Sequence, residues 1–279
     1  MKHITDKTIF SFRGYLTDEE KSAATVEKYI RDVTAFKRWL SGKEFDKRSV
    51  LEYKEYLREN YKVTSVNSVI SSLNKFFEFC GLYKVRIKTI KVQKQIFLSK
   101  DKELTKSEYE RLLKEARNRG NERINLVMQT ICSTGIRVSE LKFITVDAVK
   151  NKVAHIYCKS KMRTVFLPDS LCKMLAKYIR VRKIEDGAVF VTKAGIPLNR
   201  SNIWSDMKKL CERAGVAKEK VFPHNLRHLF ARTYYSVQKD IVRLADILGH
   251  SSINTTRIYT METGEIHRRQ IQKLGLLRC

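Results

Sequence analysis

Between Thr25 and Leu40 the stretch TVEKYIRDVTAFKRWL sets Val26, Tyr29, Val33, Phe36, Trp39 and Leu40 mostly three or four positions apart, with polar and charged residues filling the gaps. At about 100° per residue these positions share one face, so the segment predicts an amphipathic helix. A second helix fits Ser49 to Asn60, and Val63 to Phe79 repeats the pattern with Val66, Val69, Ile70, Leu73, Phe76 and Phe77. Three or four helices with short connections predict a small bundle ending near Gly81 and a first domain over residues 1–83.

The stripe then disappears. In YKVRIKTIKVQKQIFLSKDKE a lysine or arginine recurs every two to three positions with β-branched residues between, which predicts an extended basic linker over residues 84–103. Its cations Lys84, Arg86, Lys88, Lys91 and Lys94 are candidate phosphate contacts if the linker belongs to a clamp around duplex DNA; a solvated connector would look the same. Thr105 and Glu108 in LTKSEYERLLKEA have capping-box spacing and open a second domain over 104–279.

That domain reads as mainly helical. Helices are expected over Arg123–Ser133, just after Arg137 in VSELKFI, and near 169–183, 200–214, 224–236 and 241–248. Pro223 suits a helix start, and Gly249 should end a helix and turn His250 inward. Two alternating runs around a basic turn predict a β-hairpin over 153–167. Tyr259 should lie on or beside a further short helix, and a tail from about Gly264 carries a short apolar face of Ile266, Ile271, Leu274, Leu276 and Leu277. The fold class expected is mainly α: an N-terminal helical bundle and a mixed, mostly helical C-terminal domain with one small β-hairpin.

Charge narrows the partner. The chain has 279 residues and a formal net charge of +26, from 56 Lys plus Arg against 30 Asp plus Glu. Such an imbalance repels itself unless a polyanion meets it, which points to nucleic acid, although a membrane-surface protein would share the trait. The six cysteines, Cys80, Cys132, Cys158, Cys172, Cys211 and Cys279, form no CxxC pair and read as reduced thiols. MKHITDKTIF lacks the apolar core of a signal peptide, and no run of about 18 apolar residues occurs. A cytoplasmic protein with no membrane partner is expected.

Chemistry concentrates in three short segments. PHNLRHLFA places His224 and Arg227 three apart on one helical face, STGIRVSEL offers Arg137, and LGHSSINTTRIYT offers His250 with Tyr259 nine positions later. Two arginines, two histidines and a tyrosine suit cleavage of a phosphodiester without a metal or other cofactor. Arginine forks meet the charge that builds on the non-bridging oxygens, and a cationic pocket activates a phenol whose free pKa is about 10. Tyr259 alone would be one of 12 tyrosines, most of which pack; its surroundings raise it. His224 and His228 are four apart, yet no glutamate stands between them as in HExxH, and Arg227 beside them argues against a metal. His228 reads as a supporting residue, and nothing raises His155 or His267.

The segments TGIRVSEL, HNLRH, LGHSSINTT and IYT, in this order, resemble the boxes of the tyrosine recombinase (phage integrase) family. The resemblance covers residues 104–279, and the first hundred more loosely by helical pattern. It implies a SAM-like core-binding domain followed by a catalytic domain with the fold of DNA breaking-rejoining enzymes. It also implies that Arg137 and Arg227 clamp the scissile phosphate, that His224 and His250 bond it and manage protons, and that Tyr259 becomes joined to the 3′ phosphate and frees a 5′ hydroxyl. A general-acid lysine is implied on the hairpin turn; in VAHIYCKSKMRTVFLP Lys159 aligns best, with Lys161 the alternative because the turn lacks the glycines that the family often carries. Glu140 matches a carboxylate that buttresses the site, though an acid in a first helical turn has a structural use too. Lys161 and Arg163 join the linker cations as candidate DNA contacts.

The partners implied are double-stranded DNA with paired core recombination sites, a homo-tetramer on synapsed DNA that is a monomer in solution, a tail helix docked on the neighbouring protomer, and an accessory directionality protein. A two-domain recombinase without a separate arm-binding domain is expected, associated with the nucleoid and in keeping with a mobile element. The alternatives are a type IB topoisomerase-like DNA-relaxing enzyme and a DNA-binding regulator that has lost catalysis.

Overall fold

The computed structural model describes residues 3–42, 45–91, 103–158, 161–259 and 272–273, apart from the side chains of Cys158 and Lys161. Lys94, Lys159 and nearly all of the tail beyond Tyr259 lie outside the described residues. The chain divides into two units, residues 1–94 and 95–279.

Among the described residues the first unit has four α-helices, α1 (Asp6–Asp18), α2 (Ala23–Leu40), α3 (Lys47–Asn60) and α4 (Val63–Phe79). The α2 stripe turns inward as its spacing requires: Val26, Val33, Phe36 and Leu40 are buried, with Tyr29 and Trp39 partly so. The interior is rich in aromatic rings, Phe36 standing 4.9 Å from Tyr53 and Phe12 5.2 Å from Phe76 between centroids. Side chains satisfy the free amides at helix starts: Thr5 accepts from the Thr8 N–H, and Asp46 and Ser49 form a reciprocal capping box. The buried Asp32 carboxylate accepts from the Lys28 ammonium at 2.6 Å and from the Ser72 hydroxyl at 2.8 Å, so its charge is not left bare.

Beyond Gly81 the chain keeps packing on this bundle. A 3₁₀ turn at Tyr83–Val85 leads into extended chain that buries Ile87. Two asparagines on α4 hold that chain in place. The Asn74 amide donates to the Ile87 carbonyl at 2.8 Å and accepts from its N–H at 3.0 Å; Asn67 does the same for Ile90 at 2.9 and 2.8 Å. A side-chain amide has both a donor and an acceptor, so each asparagine acts as the edge of a strand. Val85, Ile87 and Ile90 thus turn toward the bundle while Lys84, Arg86, Lys88 and Lys91 are exposed.

The second unit contains α5 (Lys106–Asn118), α6 (Glu122–Thr134), α7 (Val146–Asn151), strands β1 (Val153–Cys158) and β2 (Lys161–Phe166), α8 (Asp169–Arg182), α9 (Arg200–Ala214), α10 (Pro223–Gln238), α11 (Ile241–Leu248) and α12 (Ile253–Thr256). The Thr105–Glu108 capping box opens α5. Helix α6 is buried on most of its surface, through Ile124, Leu126, Val127, Met128, Thr130 and Ile131, and packs against α5, α8 and α10. The strands pair antiparallel from Val153 opposite Phe166 to Cys158 opposite Lys161. Their alternation buries Ala154, Ile156 and Val165 and exposes Tyr157, Met162 and Phe166.

One expected element differs. VSELKFI is a 3₁₀ helix over Val138–Phe143, followed by the separate α7. Each start is capped by a side chain: Glu140 takes the Arg137 N–H at 2.7 Å, and the Thr145 hydroxyl takes the Ala148 N–H at 3.0 Å. Among the described residues no helix is long and apolar enough to cross a membrane.

Candidate active site

Helix α6 ends at Gly135, whose φ of +65° suits a residue without a Cβ. A Cβ there would lie 2.4 Å from the Phe230 ring and 3.0 Å from Leu248, so glycine is what lets this turn press against α10 and α11. Arg137 follows and keeps 39% of its side chain exposed, donating to Glu140 Oε1 at 3.0 Å and reaching the Gly249 carbonyl at 3.5 Å.

Arg227 heads the large, fully buried side chains, at 1% exposure. A buried cation is tolerated only with good acceptors. It donates to the Gly135 carbonyl, to the Leu248 carbonyl at 2.6 Å and to His250 Nε2 at 3.0 Å, while its Nε–H has no partner. Burial, and then the charge of Arg137, lowers its pKa to about 10, which leaves it a cation at neutral pH. Since a guanidinium only donates, His250 Nε2 must accept, and its Nδ1–H then donates to the buried Thr256 hydroxyl at 2.8 Å. Burial, followed by Arg227 and Arg137, pushes His250 down to about 4, so the neutral ring is the resting form.

Tyr259 ends a 3₁₀ turn after α12 and is 6% exposed, in a small cluster with Ala231, Leu244 and Leu248. Its ring lies 4.8 Å from that of His228, edge to face, and 6.0 Å from that of His250, nearly parallel. His228 in turn is 4.6 Å from His224. Its Nε2 is buried without a partner, and burial, then His224 and Arg227, pushes its pKa down to about 4. The His224 pKa is lowered as well, by burial first and then by Arg227, Arg137 and Arg200. The arrangement is a tyrosine among neutral histidines, beside a buried guanidinium and a partly open one.

Arg137, Glu140, His224, Arg227, His250 and Tyr259 therefore gather in one place. Lys159 and the Lys161 side chain lie outside the described part, and Lys84, Arg86, Lys88 and Lys91 belong to the first unit. Arg163, a candidate DNA contact, has a side chain only 15% exposed, and it donates to Glu140 Oε2 at 2.5 Å and to the Ile247 carbonyl. Burial alone would raise the Glu140 carboxyl; the Arg137 N–H and the two guanidiniums outweigh it and hold the carboxyl below its usual range. Nothing in the sequence pointed to Thr256 as the partner of His250, whereas His228, read as a supporting residue, stands beside Tyr259. His228 had a signal, one helical turn after His224; one of the two threonines in INTT had none.

Comparison with known proteins agrees over most of the chain. The profile of the phage integrase family matches residues 102–265, and that of the phage integrase N-terminal SAM-like domain matches residues 9–81. The tyrosine recombinase XerA of Thermococcus kodakarensis is 31% identical over 282 residues, covering 98% of this chain and 96% of the relative. Two solved structures share the fold. The XerH site-specific recombinase bound to difH substrate gives a TM-score of 0.68 at 18% identity, over 96% of this chain and 99% of that one. A lambda integrase tetramer bound to a Holliday junction gives 0.74 at 17%, over 91% and 76%.

Proposed function

This chain belongs to the phage integrase family and is a site-specific tyrosine recombinase, and we propose that Tyr259 is the residue it joins to DNA. The observation that carries the assignment is the buried Tyr259 ring held between His228 and His250, with Arg227 hydrogen-bonded to His250. In the proposed step the Tyr259 oxygen forms a bond to the scissile phosphorus as the bond to the 5′ oxygen breaks. A 3′-phosphotyrosyl ester and a 5′ hydroxyl result. The phenol proton passes to a neutral histidine, a state that the lowered pKa values of His224 and His250 favour. The proton for the departing oxygen comes from the hairpin lysine, Lys159 or, in the shifted register, Lys161.

Arg137 presents its open fork to the non-bridging oxygens, and Arg227 has an unpartnered Nε–H to add. Glu140 holds Arg137 in place. The ester keeps the energy of the broken bond, so a 5′ hydroxyl from a second duplex reverses the step without ATP. The finer partners are proposals on the same footing: paired core sites in double-stranded DNA, four protomers on the synapsed DNA assembled from monomers, the tail from about Gly264 docked on a neighbour, an accessory directionality protein, and action on the nucleoid in the cytoplasm. The lambda integrase tetramer, which shares the fold, supports the fourfold assembly.

A suicide-substrate assay tests the assignment. The protein is incubated in EDTA with nicked duplexes carrying sequences that flank its own gene, and a denaturing gel reads the covalent adduct. The expected result is an adduct that forms in EDTA and is absent with Tyr259→Phe. An adduct that persists in the variant would identify another nucleophile, and one abolished by EDTA would identify a metal-dependent reaction.

A further inference from the structure

Three consecutive carbonyls end α11, and each takes a guanidinium from a different part of the chain. Arg163 of β2 donates to the Ile247 carbonyl, Arg227 of α10 to Leu248 at 2.6 Å, and Arg137 reaches Gly249 at 3.5 Å. A helix C-terminus carries orphan carbonyls and partial negative charge, so cations are held well there. His250 is the next residue. Two of these arginines are assigned to the phosphate above; the third is turned inward. Its other terminal nitrogen donates to Glu140 at 2.5 Å, and its stem lies so close to Gly249 that a Cβ there would fall 2.5 Å from Arg163 Cδ.

We propose that Arg163 is a positioning residue: it ties Glu140 to the end of α11 so that Arg137 and His250 address the same phosphate, and it keeps the charge of Arg137 available to DNA. The proposal rests on the assignment of Arg137 and His250 to the scissile phosphate. Its first half is geometric. Glu140 bonds both Arg137 and Arg163, and Arg163 bonds the α11 terminus, so one chain of hydrogen bonds runs from the TGIR turn to the residue before Leu248. Its second half is electrostatic. Glu140 is 2% exposed and its single negative charge is shared between two guanidiniums, which leaves a net positive charge facing the cleft. Without Arg163 the carboxylate pairs with Arg137 alone and cancels the cation that meets the phosphate, and the Ile247 carbonyl loses its donor.

Arg163→Gln and Arg163→Lys, with the wild type, are to be compared by single-turnover cleavage of the nicked suicide duplex, by DNA affinity across a salt series and by thermal melting. In Arg163→Gln the cleavage rate constant on saturating DNA should fall roughly 100-fold, the size expected for misplaced catalytic groups, while affinity falls only a few-fold, with the salt slope lower by at most about 0.9 as Arg137 alone loses its charge toward DNA. Arg163→Lys restores the charge opposite Glu140 without the fork and should recover about 10-fold of that loss. Wild-type cleavage by Arg163→Gln would overturn the proposal. So would a fall in rate that saturating DNA fully restores, the mark of a binding contact alone, or equal loss in both variants with a melted second unit, the mark of a packing role alone. A wild type that forms no Tyr259 adduct would instead remove the assignment on which the proposal rests.

Discussion

The interior of the bundle and the α10–α11 region of the second unit are filled on opposite principles. In the bundle the large buried side chains are Phe12, Phe36, Phe76 and Phe77, packed ring against ring, with Lys84, Arg86, Lys88 and Lys91 on the outside. In the second unit Arg227 heads them, and its neighbours are carbonyls and a histidine. Apolar burial stabilises by about 25 cal/mol per Å². Burying a guanidinium costs desolvation that its acceptors only offset. The bundle is therefore organised for stability, and the α10–α11 region holds charge in place at some expense of it.

The contrast breaks most visibly at Arg227. Arg227→Lys should slow adduct formation by roughly 10³-fold, since a single ammonium cannot serve Gly135, Leu248 and His250 and still address a phosphate. Affinity for DNA should change far less. Equal losses of rate and affinity would mean that Arg227 serves binding alone. In the bundle, Phe36→Ala should cost about 3–5 kcal/mol of stability, read by denaturant unfolding of the first unit, because it empties a site bordered by Phe45, Tyr53 and Phe77. A cost below about 1 kcal/mol would show that this interior is loosely packed.

The same division decides what the sequence could reveal. Helices α4, α9 and α11 have the bounds expected of them, since their limits are written in local signals: a 3.6-residue stripe in α4, an Asn199 capping box before α9, Gly249 after α11. The tyrosine, histidines and arginines announce themselves through residue type and order. What stayed hidden depends on partners far away in sequence. Arg163 looks like any cation of a basic hairpin until Glu140 and Ile247 are seen beside it, and the seat of residues 83–91 needs Asn67 and Asn74, which read simply as polar positions on α4. VSELKFI shows a helical pattern, and nothing in it marks the 3₁₀ form that it takes.

Acid pH sharpens the comparison by acting on one interior. Burial pushes His228 and His250 from 6.5 down to about 4. Their folded values lie below their unfolded ones, so the stability they contribute is complete above about pH 6.5 and is lost as pH falls toward 4. The second unit should melt earlier at pH 5 than at pH 7. His228→Gln, which removes one such group, should shrink that difference by about 3 °C in a thermal scan. An unchanged difference would place the acid sensitivity elsewhere. The bundle core described here contains no histidine, and its melting should follow pH less steeply.

The smallest effect separates charge from its placement on the bundle's outer edge. Lys88→Ala removes one exposed cation, and if Lys88 meets a phosphate the slope of log affinity against log salt should fall by about 0.9. Asn74→Ala leaves every charge present but frees both the N–H and the carbonyl of Ile87, so the extended chain loses one of its two asparagine anchors. Affinity should then drop a few-fold as that chain gains conformational freedom that DNA binding must remove again, each residue being worth about 1–2 kcal/mol when fixed. The salt slope should hold, because the same ions are released. If Asn74→Ala lowered the slope as Lys88→Ala does, the seat would be choosing which cations touch DNA; if neither variant moved it, these lysines would be solvated surface, and the bundle would take hold of DNA through another face.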